Sequence, residues 1–118
     1  MNNRSFGIDG ETEAAEYLVT KGYKILERNF LAACGEIDLI ALDGKTIVFV
    51  EVKKRSTARY GQAKEAVTET KKRKIALTAA LYLKAHRKID AAFRFDVVAI
   101  DGDTVTHLKS AFESTVLM

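Results

Sequence analysis

Between Gly35 and Lys53 run two segments rich in β-branched and large apolar residues, Ile37 to Leu42 and Thr46 to Val52, separated by Asp43-Gly44. Such segments joined by Asp-Gly read as a β-hairpin. Placing Asp43 and Gly44 at the tip sets Leu42 against Lys45, Ile40 against Ile47, Asp38 against Phe49 and Glu36 against Glu51. Side chains alternate with period two. Glu36, Asp38, Glu51 and Lys53 are therefore expected on one face, beside Ile40, Leu42, Ile47 and Phe49, with Asp38 and Glu51 as diagonal neighbours.

Charges inside apolar strands need a reason. Diagonal Cβ atoms lie about 7 Å apart, so two carboxylates leaning together can hold a magnesium ion, whose oxygen ligands sit at about 2.1 Å. Without a cation, Glu36 and Glu51 would repel across the strands. The alternative is that these carboxylates sit at the ends of an edge hairpin and point into water. The hairpin alone leaves both readings open.

A chain of 118 residues, 47% hydrophobic and 30% charged, fits one domain spanning 1–118 with a single core. No apolar run is long enough to span a membrane. The first residues, Met1-Asn2-Asn3-Arg4-Ser5-Phe6-Gly7, lack the apolar segment of a secretory signal, which points to the cytoplasm. Cys34 is the only cysteine, so neither an internal disulfide nor a thiolate zinc site can form. His86 and His107 are isolated from each other and from Cys34, without metal-ligand spacing. There is no glycine-rich phosphate loop, no Gly-x-Ser-x-Gly elbow and no cysteine–histidine pair, which removes the machinery of nucleotide hydrolysis and acyl transfer.

The net charge of +3 is modest, but its distribution is not even. Lys53-Lys54-Arg55, Arg59 and Lys71-Lys72-Arg73-Lys74 follow the acidic hairpin closely. Such clustering would aim a phosphate backbone at the carboxylates. For any single lysine, a solvated helix face is the simpler explanation.

Elsewhere, Ile8, Ala14, Ala15 and Leu18 mark a helix from about Ile8 to Thr20, stopped at Gly22. Glu11 lies on its apolar stripe, facing the interior or a cleft, although a first-turn glutamate also gains from the helix dipole. Tyr23 to Arg28 reads as a strand and Asn29 to Cys34 as a loop. Residues after Lys53 through Gly61 read as a polar connector. Thr68 caps a second helix running to about His86, with Ile75, Ala79, Tyr82 and Leu83 as its buried stripe. Phe93 to Ile100 alternates as a strand, in which Asp96 is expected to pair with Arg94 or a nearby lysine. Asp101-Gly102-Asp103 turns into a last short strand, Thr104 to Leu108. The order helix, strand, hairpin, helix, strand, strand gives an α/β fold with a mixed central sheet and flanking helices.

Asp38, a gap of twelve residues, and Glu51-Val52-Lys53 on consecutive strands resemble the PD-(D/E)XK nucleases of restriction-endonuclease-like, three-layer fold. A wider pattern adds specificity: Gly7-x-x-Gly10-Glu11, Tyr17-Leu18, Gly22-Tyr23, Arg28-Asn29, Gly35-Glu36-Ile37-Asp38-Leu39-Ile40-Ala41, Val48 to Lys53 with Arg55, Glu65-Ala66-Val67 and Arg94 to Val98. Together these resemble the YraN-like family of small bacterial proteins over nearly the whole chain, from about Gly7 to Phe112. The layout is also similar to archaeal Holliday-junction resolvases. The resemblance implies that Asp38, Glu51 and the Val52 carbonyl bind Mg2+ or Mn2+, that Glu11 completes the acidic cluster, and that Lys53 orients the attacking water or neutralises the transition state. It also implies DNA as partner, with Lys54, Arg55, Arg59, Lys71, Lys72, Arg73 and Lys74 on phosphates, and a homodimer to make paired cuts.

Two departures stand out. The loop Phe30-Leu31-Ala32-Ala33-Cys34 is apolar where such relatives carry basic residues, which suggests weaker phosphate contact there or a surface for a protein. Ile37 stands where the motif has its proline. The reading favoured by Asp38, Glu51 and Lys53 together is a metal-dependent DNA endonuclease acting on branched or damaged DNA. A non-catalytic nucleic-acid-binding module and a structural interaction protein are the alternatives.

Overall fold

A computed structural model describes residues 10–55 and 67–113. Helix α1 (Gly10–Thr20) leads into β1 (Lys24–Ala32), β2 (Gly35–Asp43) and β3 (Thr46–Arg55). Helix α2 (Glu69–Ala85) and strands β4 (Phe93–Asp101) and β5 (Thr104–Phe112) follow. The sheet order is β1-β2-β3-β4-β5. Only β3 and β4 run parallel; the other neighbours are antiparallel. A parallel pair needs a long crossover connection, and α2 lies within it.

Each face of the sheet has its own core. Ile37, Ile40, Ile47, Phe49, Phe95 and Val97 pack with Ile75, Ala76, Ala79, Tyr82 and Leu83 of α2. Leu39, Ala41, Val48, Val50, Val98 and Ile100 pack with Ala14, Ala15 and Leu18 of α1. The central strands are apolar on both sides because both are covered. This is the three-layer, mixed-sheet architecture expected for a restriction-endonuclease-like fold.

The helix ends follow their local chemistry. Gly22 adopts φ +90 after α1, where Gly22 N donates to Val19 O and Tyr23 N to Leu18 O at 3.0 Å each. Thr68 caps α2 as expected, its hydroxyl accepting from Lys71 N at 3.1 Å. Tyr82 and Leu83 are buried as expected. Segment 29–34, read as a loop, instead extends β1 to Ala32, and β5 runs to Phe112.

The hairpin register differs from the expected one. Asp43 pairs with Thr46, Leu42 with Ile47 and Ile40 with Phe49, so the two-residue loop is Gly44-Lys45. Gly44, at φ +62, supplies the left-handed residue that such a tight turn requires at its first position. Arg94 Nη1 on β4, two strands away, donates to Asp43 Oδ2 at 2.9 Å. Moving the tip by one residue shifts every partner by two, an even number, so Ile40, Leu42, Ile47 and Phe49 keep their common face while their partners change. Among the described residues, no helix is long and apolar enough to cross a membrane.

Candidate functional site

The β2–β3 ladder stops at the pair Leu39 and Val50. The next residues along are Asp38 and Glu51, which makes them opposed rather than diagonal, and Glu36 no longer faces Glu51. Strict alternation also breaks at Asp38: Ile37 reaches the α2 core, as Ile40 does, whereas Leu39 reaches the α1 core. On the other side, Arg28 pairs with Leu39 and Phe30 with Ile37, leaving Asn29 beside Asp38. Asn29 has φ +52, a conformation that asparagine tolerates better than most residues. At this irregularity the Asp38 carboxylate takes the place of a ladder bond, its Oδ2 accepting from Val52 N at 2.8 Å.

Glu51 is 3% exposed, buried on the α2 side of β3. Its Oε2 lies 2.9 Å from Lys71 Nζ, in the first turn of α2. Its Oε1 is buried and has no hydrogen-bond partner among the described residues. Burial and then the adjacent negative charge of Asp38 push the Glu51 carboxyl up to about 7, against the opposing pull of Lys71. Bonding to Glu51 raises the Lys71 ammonium, and the charges of Asp38 and Glu36 act in the same direction. Glu36, Asp38, Glu51 and Lys71 thus form one electrostatic unit.

Lys53 is half-buried two residues beyond Glu51. The side chains flanking Lys53 face α1, since a Cβ built on Gly10 would lie 3.2 Å from Lys54 Cβ and 3.3 Å from Val52 Cγ1. Alternation therefore places Lys53 on the Glu51 side. Glu11, in the first turn of α1, belongs to the layer covering the other face, and it is half-buried and engaged in contacts of its own. Among the described residues, the charges acting on Glu51 are Asp38 and Lys71. No group of three or more acidic, histidine or cysteine side chains is gathered for a metal among those residues.

A hard divalent cation nevertheless suits what is present. Magnesium keeps several waters and is held by one or two carboxylates, so a third acidic side chain is not required. The buried, unpartnered Oε1 of Glu51 beside Asp38 is an oxygen whose desolvation lacks compensation without such an ion.

The basic residues separate into distinct environments. Lys54 is ion-paired with Glu13 across the α1 interface. Lys71 is bound to Glu51; Lys72 pairs with Glu69 at 2.9 Å and lies over the Phe112 ring. Arg73 and Lys74 are exposed on α2. Arg55 ends β3, and Arg59 lies outside the described residues, as does most of the connector after it. In the apolar β1–β2 hairpin, Leu31 is 76% exposed, and Cys34 Sγ lies 3.4 Å from Thr78 Oγ1.

A second polar constellation exceeds what the sequence suggests. Asp96, fully buried, accepts from Arg94 Nε at 3.0 Å, from His107 Nε2 at 2.7 Å and from Ser110 N at 3.0 Å. Arg94 continues to Asp43 at 2.9 Å and to Tyr23 Oη at 2.6 Å. Burial works to raise Asp96, but the bonds from His107, Arg94 and Ser110 outweigh it and hold the carboxyl below its ordinary value. The Arg94 pairing was expected; His107, eleven residues away, carries no sequence signal of its own. Here too a register break, between Phe95 and Val97, sits opposite a residue of positive φ, Ser110 at +52. The network ties β5, β4, the hairpin tip and Tyr23, just before β1, together.

A family model described as uncharacterised protein family UPF0102 matches residues 10–100. The chain is 47% identical over 117 residues to a UPF0102 protein of Geobacter metallireducens, covering 96% of each. To a UPF0102 protein of Thermodesulfovibrio yellowstonii it is 44% identical over 112 residues, covering 95% of this chain and 99% of the relative. A UPF0102 protein of Herminiimonas arsenicoxydans is 45% identical over 108 residues, covering 92% and 86%.

Proposed function

Since the chain belongs to the uncharacterised family UPF0102, whose name carries no activity, we propose from its site that it is a metal-dependent endonuclease hydrolysing DNA phosphodiester bonds. The observation that carries this reading is the buried Glu51 set against Asp38 with Oε1 unpartnered, on adjacent strands and followed by Lys53. A desolvated carboxylate beside a second, half-buried one is costly unless a cation joins them. A purely binding surface would need basic groups only.

Asp38, Glu51 and the Val52 carbonyl would hold Mg2+ or Mn2+, which when bound supplies Lewis-acid stabilisation and a water acidic enough to attack near neutral pH. The chain's own residues then have separable tasks. Val52 N–H fixes the Asp38 carboxylate at 2.8 Å, so the pair is oriented before any ion arrives. Lys53 brings a positive charge to the same face, where it orients the attacking water or offsets charge on the phosphoryl oxygens. Arg73 and Lys74, exposed on α2, meet the phosphate backbone and set register rather than sequence. Glu11, on the helix across the sheet, is the remaining acidic candidate. Branched or damaged DNA is the favoured substrate, cut by a homodimer with one site per strand.

The test is a cleavage assay with purified protein on linear, single-stranded, flapped and four-way DNA, with Mg2+ and with Mn2+. Metal-dependent cutting of at least one duplex-containing substrate is expected. Metal-independent DNA binding without any cutting would favour a non-catalytic binding module.

A further inference from the structure

Lys71 occupies an unusual position. It is the third residue of the first turn of α2, where the helix dipole disfavours a cation. Yet its ammonium reaches back to Glu51 Oε2 at 2.9 Å, against a carboxylate that is 3% exposed. The lysine itself is 45% exposed, so it can leave that contact for water without unpacking the core. Only one oxygen of Glu51 is satisfied this way; Oε1 remains buried and unpartnered among the described residues. The fields of Asp38 and Glu36 also act on the ammonium. Glu51, Asp38 and Glu36 therefore all act on this one half-exposed ammonium.

We propose that Lys71 is the built-in counter-cation of the site, holding the Asp38–Glu51 pair in the metal-free protein and being displaced when a divalent ion binds. The proposal rests on the metal-site reading given above. A divalent ion brings two charges and can engage both oxygens of Glu51, whereas one ammonium engages Oε2. The ion therefore competes favourably, but the ion pair must be broken first. Displacement sends the Lys71 charge outward, on the side of the helix where the exposed Lys74 follows three residues on. Metal loading would thus add a cation to the surface that meets phosphate.

The test is calorimetric titration of Mn2+ at pH 8 into the wild-type chain and into Lys71→Met, Lys71→Arg and Lys84→Met, with thermal melts in parallel. Removing Lys71 eliminates both a competitor and a repelling charge. Lys71→Met is expected to bind Mn2+ about tenfold more tightly than wild type, equivalent to about 1.4 kcal/mol. Its metal-free form should melt lower and gain more from saturating Mn2+. Lys71→Arg keeps a cation and should stay near wild type, and Lys84→Met, an exposed lysine in the last turn of the same helix, should change affinity less than about twofold. Lys71→Gln repeats the measurement should the methionine variant fold poorly. Wild-type binding with no tightening in either neutral Lys71 variant would overturn the counter-cation while leaving the metal site standing. Absence of Mn2+ binding in wild type and in both neutral variants would overturn the metal site itself, and the counter-cation with it.

Discussion

Val52 N donates to Asp38 Oδ2 at 2.8 Å, so the carboxylate that faces Glu51 is also the group that ends the β2–β3 ladder. Fold and site share this contact, and different substitutions separate its two roles. Asp38→Asn keeps an oxygen for Val52 N and loses only charge. It should leave stability unchanged or slightly raised while weakening Mn2+ binding at least tenfold. Asp38→Ala orphans Val52 N as well and should cost about 1–3 kcal/mol. Urea denaturation beside metal titration distinguishes the two.

Glu51 gives stability a definite pH dependence. Its folded carboxyl is pushed from an ordinary 4.5 up to about 7, so between those values the folded state binds more protons than the unfolded chain. Its contribution is fully present below about 4.5 and is lost as pH rises through 7, on the order of 3 kcal/mol in total. Glu51→Gln should remove this slope, making the variant more stable than wild type at pH 8 in the absence of metal. Denaturation midpoints from pH 5 to 8 for both proteins test the sign; a stability rising across that window in wild type but not in the variant would contradict it.

Asp96 acts in the opposite direction and elsewhere in the molecule. Its carboxyl is held below the ordinary range by His107, Arg94 and Ser110, despite the opposing effect of its burial, so its contribution is lost only in acid, below the usual carboxylate titration. Asp96→Ala leaves Arg94 and His107 without their shared acceptor and should cost about 3–5 kcal/mol. Mn2+ affinity of the folded fraction should be retained. A mild effect, under about 1 kcal/mol, would mean that neighbouring groups or water replace the carboxylate readily.

How much of this was legible in the sequence depended on the physical rule involved. Period-two alternation correctly placed Glu51 with Ile40, Ile47 and Phe49, and the Thr68 cap and the Tyr82 and Leu83 stripe followed from helix rules. The hairpin tip differs because both Asp43 and Gly44 suit a turn; in the structure Asp43 instead pairs with Thr46 and accepts from Arg94, a long-range bond that local turn rules do not contain. Asp38 turning toward Val52 depends on a backbone irregularity beside Asn29, whose sole sequence trace is an asparagine inside an otherwise strand-like segment. Lys71 was legible as one of a basic run but not as the partner of Glu51, because that pairing depends on how α2 docks on the sheet.

The basic residues should differ in their salt dependence for the same reason. If DNA binds over α2, Arg73→Glu and Lys74→Glu should each reduce the slope of log affinity against log salt by about one or more. Lys54→Ala, whose charge is already paired with Glu13, should alter it less. Anisotropy of a labelled duplex across a salt series measures this, and a larger effect at Lys54 than at Arg73 would move the binding face toward α1.

The most direct measurement is Mg2+-dependent turnover of a cleavable DNA by wild type, Asp38→Asn, Glu51→Gln and Lys53→Ala, each first shown to be folded. Wild type is predicted to cut, the two carboxylate variants to lose cleavage together with Mn2+ binding, and Lys53→Ala to lose turnover while still binding the ion. Cleavage at the wild-type rate by all three variants would contradict the assignment of the reaction to Asp38, Glu51 and Lys53.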